Sequence, residues 1–167
     1  MLFTVLFMAP TCSLSSPLSQ QQKTIWHLIS KGLSVTNIAE KMHATRQYVN
    51  QTKIAAEAKI STILLEVAQV NDLQVIRVYP KKAVLLGFHP ALKRKAIITY
   101  TTDHGLKVWY WHDKPEEVTN EDFLKQTRTY LLEMAKERGI EIENSTDIHP
   151  AKLAHMIFIK LIPELVT

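Results

Sequence analysis

The sequence predicts an α+β fold in which helices precede and follow a small antiparallel sheet. Helical periodicity and capping residues recur between residues 18 and 70. Beyond residue 71 the pattern changes to short apolar runs such as "LQVIRVYP" and "KAVLLGFHP", each closed by proline. After residue 120 helical spacing returns in two segments. We therefore expect a helical N-terminal part with a long third helix, then a small sheet packed with two C-terminal helices.

Three N-terminal helices are marked by polar residues that can cap them. Ser19 has Gln22 three places on, which is the pattern of a capping box, and Ser34 and Thr45 are placed to cap the second and third helices. Neither glycine nor proline interrupts the third helix before Val70. At a rise of 1.5 Å per residue it would be about 39 Å long.

The middle and the end of the chain carry strand and helix signals in turn. "KAIITYTT" and "LKVWYWHD" flank "DHG", which favours a hairpin, and we predict three or four antiparallel strands. A helix is expected from about Asn120, its N-cap, to Gly139. The last helix, "HPAKLAHMIFIKLIP", has Pro150 in a favourable first-turn position.

The chain divides by pattern and by charge. We predict a flexible or strand-like arm (1–16), a helical unit (17–70) and an α+β dimerisation or sensor domain (71–167). Residues 17–70 carry six Lys/Arg against three Asp/Glu, whereas 113–167 carry seven against eleven. This asymmetry favours an anionic partner for the first part, although an unevenly charged solvated surface would give the same counts.

The remaining composition excludes several classes of site. Cys12 is the only cysteine, so neither an intrachain disulfide nor a cysteine-based zinc site can form. No phosphate-binding loop, dinucleotide fingerprint or nucleophile elbow occurs, and we expect no cofactor and no metal. The apolar start "MLFTVLFMA" is too short to span a bilayer and lacks a basic flank. An added strand, or a true start at Met8, explains it better, and we expect a cytoplasmic protein without membrane association.

The stretch "SVTNIAEKMHATRQYVNQ" has the steric pattern of a helix-turn-helix corner. Such a corner needs a small residue where the second helix crosses the first, and Ala39 takes that place. Ile38, Met42 and Val49 then face inward. His43 stands where glycine is frequent, and it can adopt the required backbone at some cost.

The longer stretch "LSQQQKTIWHLISKGLSVTNIAEKMHATRQYVNQ" resembles the helix-turn-helix of LuxR-type regulators and of sigma-factor region four. It is similar, more particularly, to the archaeal Tfx-type regulators, in which such a motif opens the chain and runs into a long helix. The resemblance covers roughly residues 17–60 and implies DNA binding. The matching residues are Leu18, Ser19, Gln22, Leu28, Gly32, Ile38, Ala39, Thr45, Arg46 and Val49.

The side chains that open the third helix have the chemistry of base recognition. A recognition helix enters the major groove with its N-terminal residues near the base edges. Arginine can pair with guanine, and asparagine or glutamine with adenine. We predict base contacts from Arg46, Gln47, Asn50 and Gln51, a phosphate contact from Lys53, and peripheral contacts from Thr45 and Tyr48. A plain solvent-exposed helix face is the alternative.

Two further surfaces are candidates. A heptad-like seam on the third helix favours a homodimer, although the same residues could pack on the protein's own strands; it comprises Ala56, Ile60, Ile63, Val67 and Val70. Lys93, Arg94 and Lys95, between two strands, are candidate phosphate contacts or a solvated loop. A small-molecule effector could bind the C-terminal domain on the face that Trp109 and Trp111 share.

We therefore expect a sequence-specific regulator of transcription that binds double-stranded DNA and is not an enzyme. One alternative is a protein–protein interaction module that uses the helical corner. Another is an enzyme acting on nucleic acid, with its site in the strand-rich half.

Overall fold

A four-stranded antiparallel sheet forms the middle layer of the protein, with helices on both faces. The computed structural model describes residues 17–111, 121–143 and 148–166. Its helices and strands, in chain order, are α1 (Gln20–Ser30), α2 (Val35–Lys41), α3 (Arg46–Val70), β1 (Gln74–Tyr79), β2 (Val84–His89), β3 (Arg94–Thr101), β4 (Gly105–Tyr110), α4 (Glu121–Glu137) and α5 (Pro150–Leu161). The predicted α+β class is confirmed. The predicted N-terminal arm and the predicted cap Asn120 lie outside the described residues.

The sheet is a simple meander in the order β1-β2-β3-β4. A short 3-10 turn, Pro80–Lys82, joins β1 to β2. The hairpin expected around "DHG" joins β3 to β4 and pairs Thr101 with Gly105. The register of the edge strand β1 shifts between Val75 and Arg77.

Side chains that alternate along β2 and β3 enter two different cores. Leu86 pairs with Ile97, and both belong to the cluster that α4 and α5 cover. Leu85 pairs with Ile98, and both belong to the cluster under α3. Because successive side chains of a strand point to opposite faces, a sheet covered on both sides requires continuous apolar runs such as "AVLL".

The helix ends follow the capping signals of the sequence. The Ser19–Gln22 capping box forms, and Ser34 and Thr45 cap α2 and α3. At the other end, four helices close with a left-handed residue and the paired backbone bonds of a Schellman motif. Those residues are Gly32, His43, Asp72 and Gly139.

A buried arginine joins the C-terminal end of α4 to the sheet and to α1. The Arg138 guanidinium donates to the backbone oxygens of Lys82 (2.6 Å), Tyr100 (2.6 Å) and Met134 (3.0 Å). It also lies 5.7 Å from the centre of the Trp26 ring. Burial lowers the pKa of Arg138, yet the three carbonyl oxygens replace its lost water.

Glu137 completes this joint with its carboxylate and its carbonyl group. Its Oε2 lies 3.5 Å from Nη1 of Arg138, and its Oε1 accepts a hydrogen bond from the backbone N–H of Thr102 (2.9 Å). The Ser30 hydroxyl donates to the Glu137 carbonyl oxygen at 2.5 Å. The ends of α1, α4 and β3 are thus fixed together by polar contacts as well as by packing.

The predicted dimer seam packs partly within the chain, so that assignment is wrong for its first two residues. Ala56 and Ile60 are fully buried in the cluster between α3 and the sheet. Ile63 and Val67 are half-buried against the same cluster, and Val70 is 83% exposed. The apolar spacing is real, but the sheet that follows in the sequence supplies the packing partner. The core under α3 therefore crosses the predicted boundary at residue 70.

Replacing Arg138 with methionine should lower the free energy of unfolding by about 3–5 kcal/mol, because Glu137 would stay buried without a cation beside it and three carbonyl oxygens would lose their donor. Urea unfolding measures the change. Lys136→Met, at an exposed position two residues earlier, is the matched control. Equal stability of the two variants would contradict this account of the joint.

Replacing Ile60 with alanine should cost about 2–5 kcal/mol, because it leaves a cavity between α3 and the sheet. Val70→Ala changes an exposed residue of the same helix and should alter stability by less than about 0.5 kcal/mol. Thermal or urea unfolding compares them. If Ile60→Ala were as mild as Val70→Ala, the packing described here would be incorrect.

Candidate nucleic-acid interface

The corner predicted from the sequence forms a small core of its own. Ile25, Ile38 and Val49 are fully buried, and Ala39 is 4% exposed. The methyl side chain of Ala39 lets α3 cross close to α2. All three helices contribute to this core, two residues coming from α2, and the core holds the start of α3 at a fixed angle.

The turn between α2 and α3 depends on a strained residue. His43 has a φ of 50°, the left-handed region that favours glycine. The N–H of His43 donates to the oxygen of Glu40 (3.2 Å), and that of Ala44 to the oxygen of Ala39 (2.9 Å). These bonds hold the turn in place and offset the cost of a side chain at His43.

Beyond the turn, α3 presents a polar face to solvent. Arg46, Gln47, Asn50 and Gln51 are all exposed, whereas Val49 between them is buried. Positions two apart on a helix differ by about 200°, so Gln47 and Gln51 lie nearly opposite Val49. Asn50 and Arg46 lie about 100° and 60° from Val49 on one side, so the four predicted base-contacting side chains share an exposed arc of about 140° that begins beside the corner's core.

The other three predicted contacts occupy the margins of this face. Thr45 Oγ1 accepts the N–H of Tyr48 at 3.1 Å and caps the helix, so only its hydroxyl proton can donate to a phosphate. The Tyr48 hydroxyl donates to Oε1 of Gln21 on α1 at 3.1 Å, which fixes the ring beside the face. Lys53 is half-buried at its edge.

The electrostatics of this region suit an anion. No acidic residue stands in the first turn of α1, α2 or α3. The partial positive charge of the first-turn N–H groups of α3 is therefore not neutralised locally. Glu57, the first acidic residue of α3, stands about 16 Å along the helix from Arg46.

The candidate phosphate contacts of the β2–β3 turn do not join this face. Gln74 pairs with Phe88, which places the turn at the sheet end where α3 finishes. The length of α3 thus separates Lys93 and Arg94 from the corner. Lys95 donates from Nζ to the backbone oxygen of Glu164 at 3.1 Å. These three residues therefore do not flank the candidate interface, and their contact with phosphate stays a prediction.

The sheet face suggested for an effector is filled by the protein itself. Trp109 packs on Phe158 of α5, with ring centres 5.5 Å apart, and its Nε1 donates to Thr99 Oγ1 at 2.9 Å. Trp111 stacks on His155 at 4.3 Å. A groove of about 340 Å³ lies elsewhere, beside the end of α4, and is lined by Leu132, Ala135, Lys136, Gly139, Ile140, Glu141 and Ile142.

Among the described helices, none combines the length and the apolar character needed to cross a membrane. In the same ranges, no three His, Cys, Asp or Glu side chains are grouped so that they could hold a metal ion. A comparison of the chain with protein-family models, curated proteins and solved structures finds no match.

Two residues that matter here were not singled out from the sequence. Ile54 is 56% exposed on the outer side of α3, beyond Gln51. Trp26 is fully buried and contacts the sheet: its ring lies 6.5 Å from that of Tyr100, and its Nε1 donates to the oxygen of Pro80 at 3.4 Å. Periodicity could have placed Trp26 on an inner face, but not against a sheet 54 residues later.

Replacing His43 with glycine should stabilise the protein by up to about 1 kcal/mol, because glycine adopts the left-handed backbone without a side-chain penalty. Ala44→Gly, at the next position, should destabilise it instead, since glycine gains nothing there. Thermal unfolding measures both changes. A loss for His43→Gly equal to that for Ala44→Gly would show that the turn stores no such strain.

Proposed function

We propose that this protein is a sequence-specific regulator of transcription that binds the major groove of double-stranded DNA through the start of α3. The carrying observation is the continuous exposed face of Arg46, Gln47, Asn50 and Gln51, in which Gln47 and Gln51 lie nearly opposite buried Val49. A helix about 10–12 Å wide fits the major groove, and these side chains can pair with guanine and adenine.

Several features of the corner support this proposal. The first turn of the helix holds no acidic side chain, so its positive dipole end favours a phosphate nearby. Lys53 stands at the edge of the face, where a phosphate contact would be made. The resemblance of residues 17–60 to LuxR-type and archaeal Tfx-type regulators favours the same function. Such a protein would act in the cytoplasm.

We further infer that two copies act together as a homodimer. A single corner offers few cationic contacts to phosphate, and pairing two corners doubles them and selects two half-sites. Because Ala56 and Ile60 are buried within the chain, the two copies must meet through other residues. The mass of the protein in solution tests this step.

A protein–protein interaction module is the second candidate, since exposed apolar side chains also lie on the outer side of α3. Ile54 is 56% exposed and Leu65 is 44% exposed. Binding to a protein through such residues would depend little on salt, whereas binding to DNA weakens steeply as salt rises.

Replacing Arg46 with alanine should weaken binding to the preferred duplex by about 1–3 kcal/mol and relax specificity at one base position. Binding is measured on duplexes enriched from a random library. Lys152→Ala, which removes the same charge from an exposed position on α5, is the control and should bind like the parent.

Replacing Lys53 with alanine should weaken binding to all sequences alike and lower the salt slope by about one unit, because a phosphate contact carries no sequence information. Titrations at several salt concentrations give the slope. If Arg46→Ala and Lys53→Ala both bound every duplex as the parent does, the proposed function would be wrong.

A further inference from the structure

Ile54 is an apolar side chain on the polar outer face of α3. It is 56% exposed, and it is absent from the three hydrophobic clusters of the described residues. Ala56, two positions on, is fully buried, so Ile54 lies about 160° away from the packed side of the helix. Packing within the described part of the chain therefore does not explain an isoleucine here.

The position of Ile54 is continuous with the candidate base-contacting residues. On an ideal helix it lies within about 20° of Gln47, 40° of Asn50 and 60° of Gln51. It stands about 6 Å further along the axis than Asn50, a distance of about two base pairs. A helix that brings Asn50 to a base edge therefore brings Ile54 to the groove floor nearby.

The major groove offers one apolar group that such a side chain can meet, the 5-methyl group of thymine. We propose that Ile54 reads a thymine by packing on that methyl group, about two base pairs from the base that Asn50 contacts. The inference rests on the proposed function and adds a specificity-determining residue to it. It also assigns the target to DNA, because uracil lacks the methyl group and the major groove of duplex RNA is too narrow to enter.

Removing the methyl group from the DNA tests this contact without changing the protein. Duplexes enriched by the parent from a random library are remade with deoxyuridine in place of one thymine at a time. At one position the parent should bind about fourfold more weakly, the value expected for one buried methyl group. Ile54→Ala should bind the thymine and deoxyuridine forms equally, and its own enriched sequences should lose that thymine.

Leu65 provides a matched control on the same helix. It is 44% exposed and lies within about 20° of Ile54 around the axis. It stands about 16 Å further along the axis, on the half of α3 whose opposite side packs on the sheet. Leu65→Ala makes a closely similar chemical change and should keep the parent's preference for thymine over deoxyuridine. If Leu65→Ala abolished that preference as well, the effect would not belong to Ile54.

The outcomes separate this inference from the function on which it depends. If Arg46→Ala weakened binding but no deoxyuridine did, DNA binding would stand and the role of Ile54 would be wrong. If the library yielded no enriched duplex, both proposals would fail. A loss of stability in Ile54→Ala of the size expected for a core residue, or the dissociation of a dimer by that change, would show that protein covers Ile54 and would overturn the inference.

Discussion

The burial of one guanidinium group fixes how the helical corner stands on the sheet. Arg138 donates to carbonyl groups at the end of the β1–β2 turn and near the end of β3, and it lies against the Trp26 ring of α1. A charge in such surroundings must be satisfied in full, because an unpaired buried charge costs several kcal/mol. Few arrangements of α1, α4 and the sheet meet that condition. The apolar side chains between these elements then pack in that one arrangement.

Helix α3 carries this geometry to the candidate interface. Its second half packs on the sheet through Ile60 and Leu64, and its first half holds the corner through Val49. Each half of α3 buries only a narrow stripe of apolar residues. The opposite side of the helix is therefore polar at its N-terminal end. One helix thus has a buried apolar side that stabilises the fold and an exposed polar side that can bind a ligand. A rigid support of this kind is what base recognition requires.

The local features of the fold could be predicted, because they depend on neighbours in the sequence. Ser19, Ser34 and Thr45 cap helices through residues three places on, and the corner around Ala39 needs only adjacent side chains. Features that depend on distant partners could not be predicted. The apolar line through Ile60 has the spacing of a coiled coil, and only the sheet shows that its partner is internal. Lys95 likewise appeared free because Glu164 follows it by 69 residues. The exposure of Ile54 could not be predicted either, because isoleucine is usually buried.

The continuity of α3 has a consequence for how such a protein could change its target. In many regulators the part that contacts the genome can be recombined with new sensory parts, because a linker separates them. In this protein, a domain exchange with its boundary after Val70 would separate α3 from the sheet. Ile60 and Leu64 would then be exposed to water. Under the proposed function, a new specificity would have to arise by point substitutions on the outer side of α3, while the rest of the fold stayed unchanged.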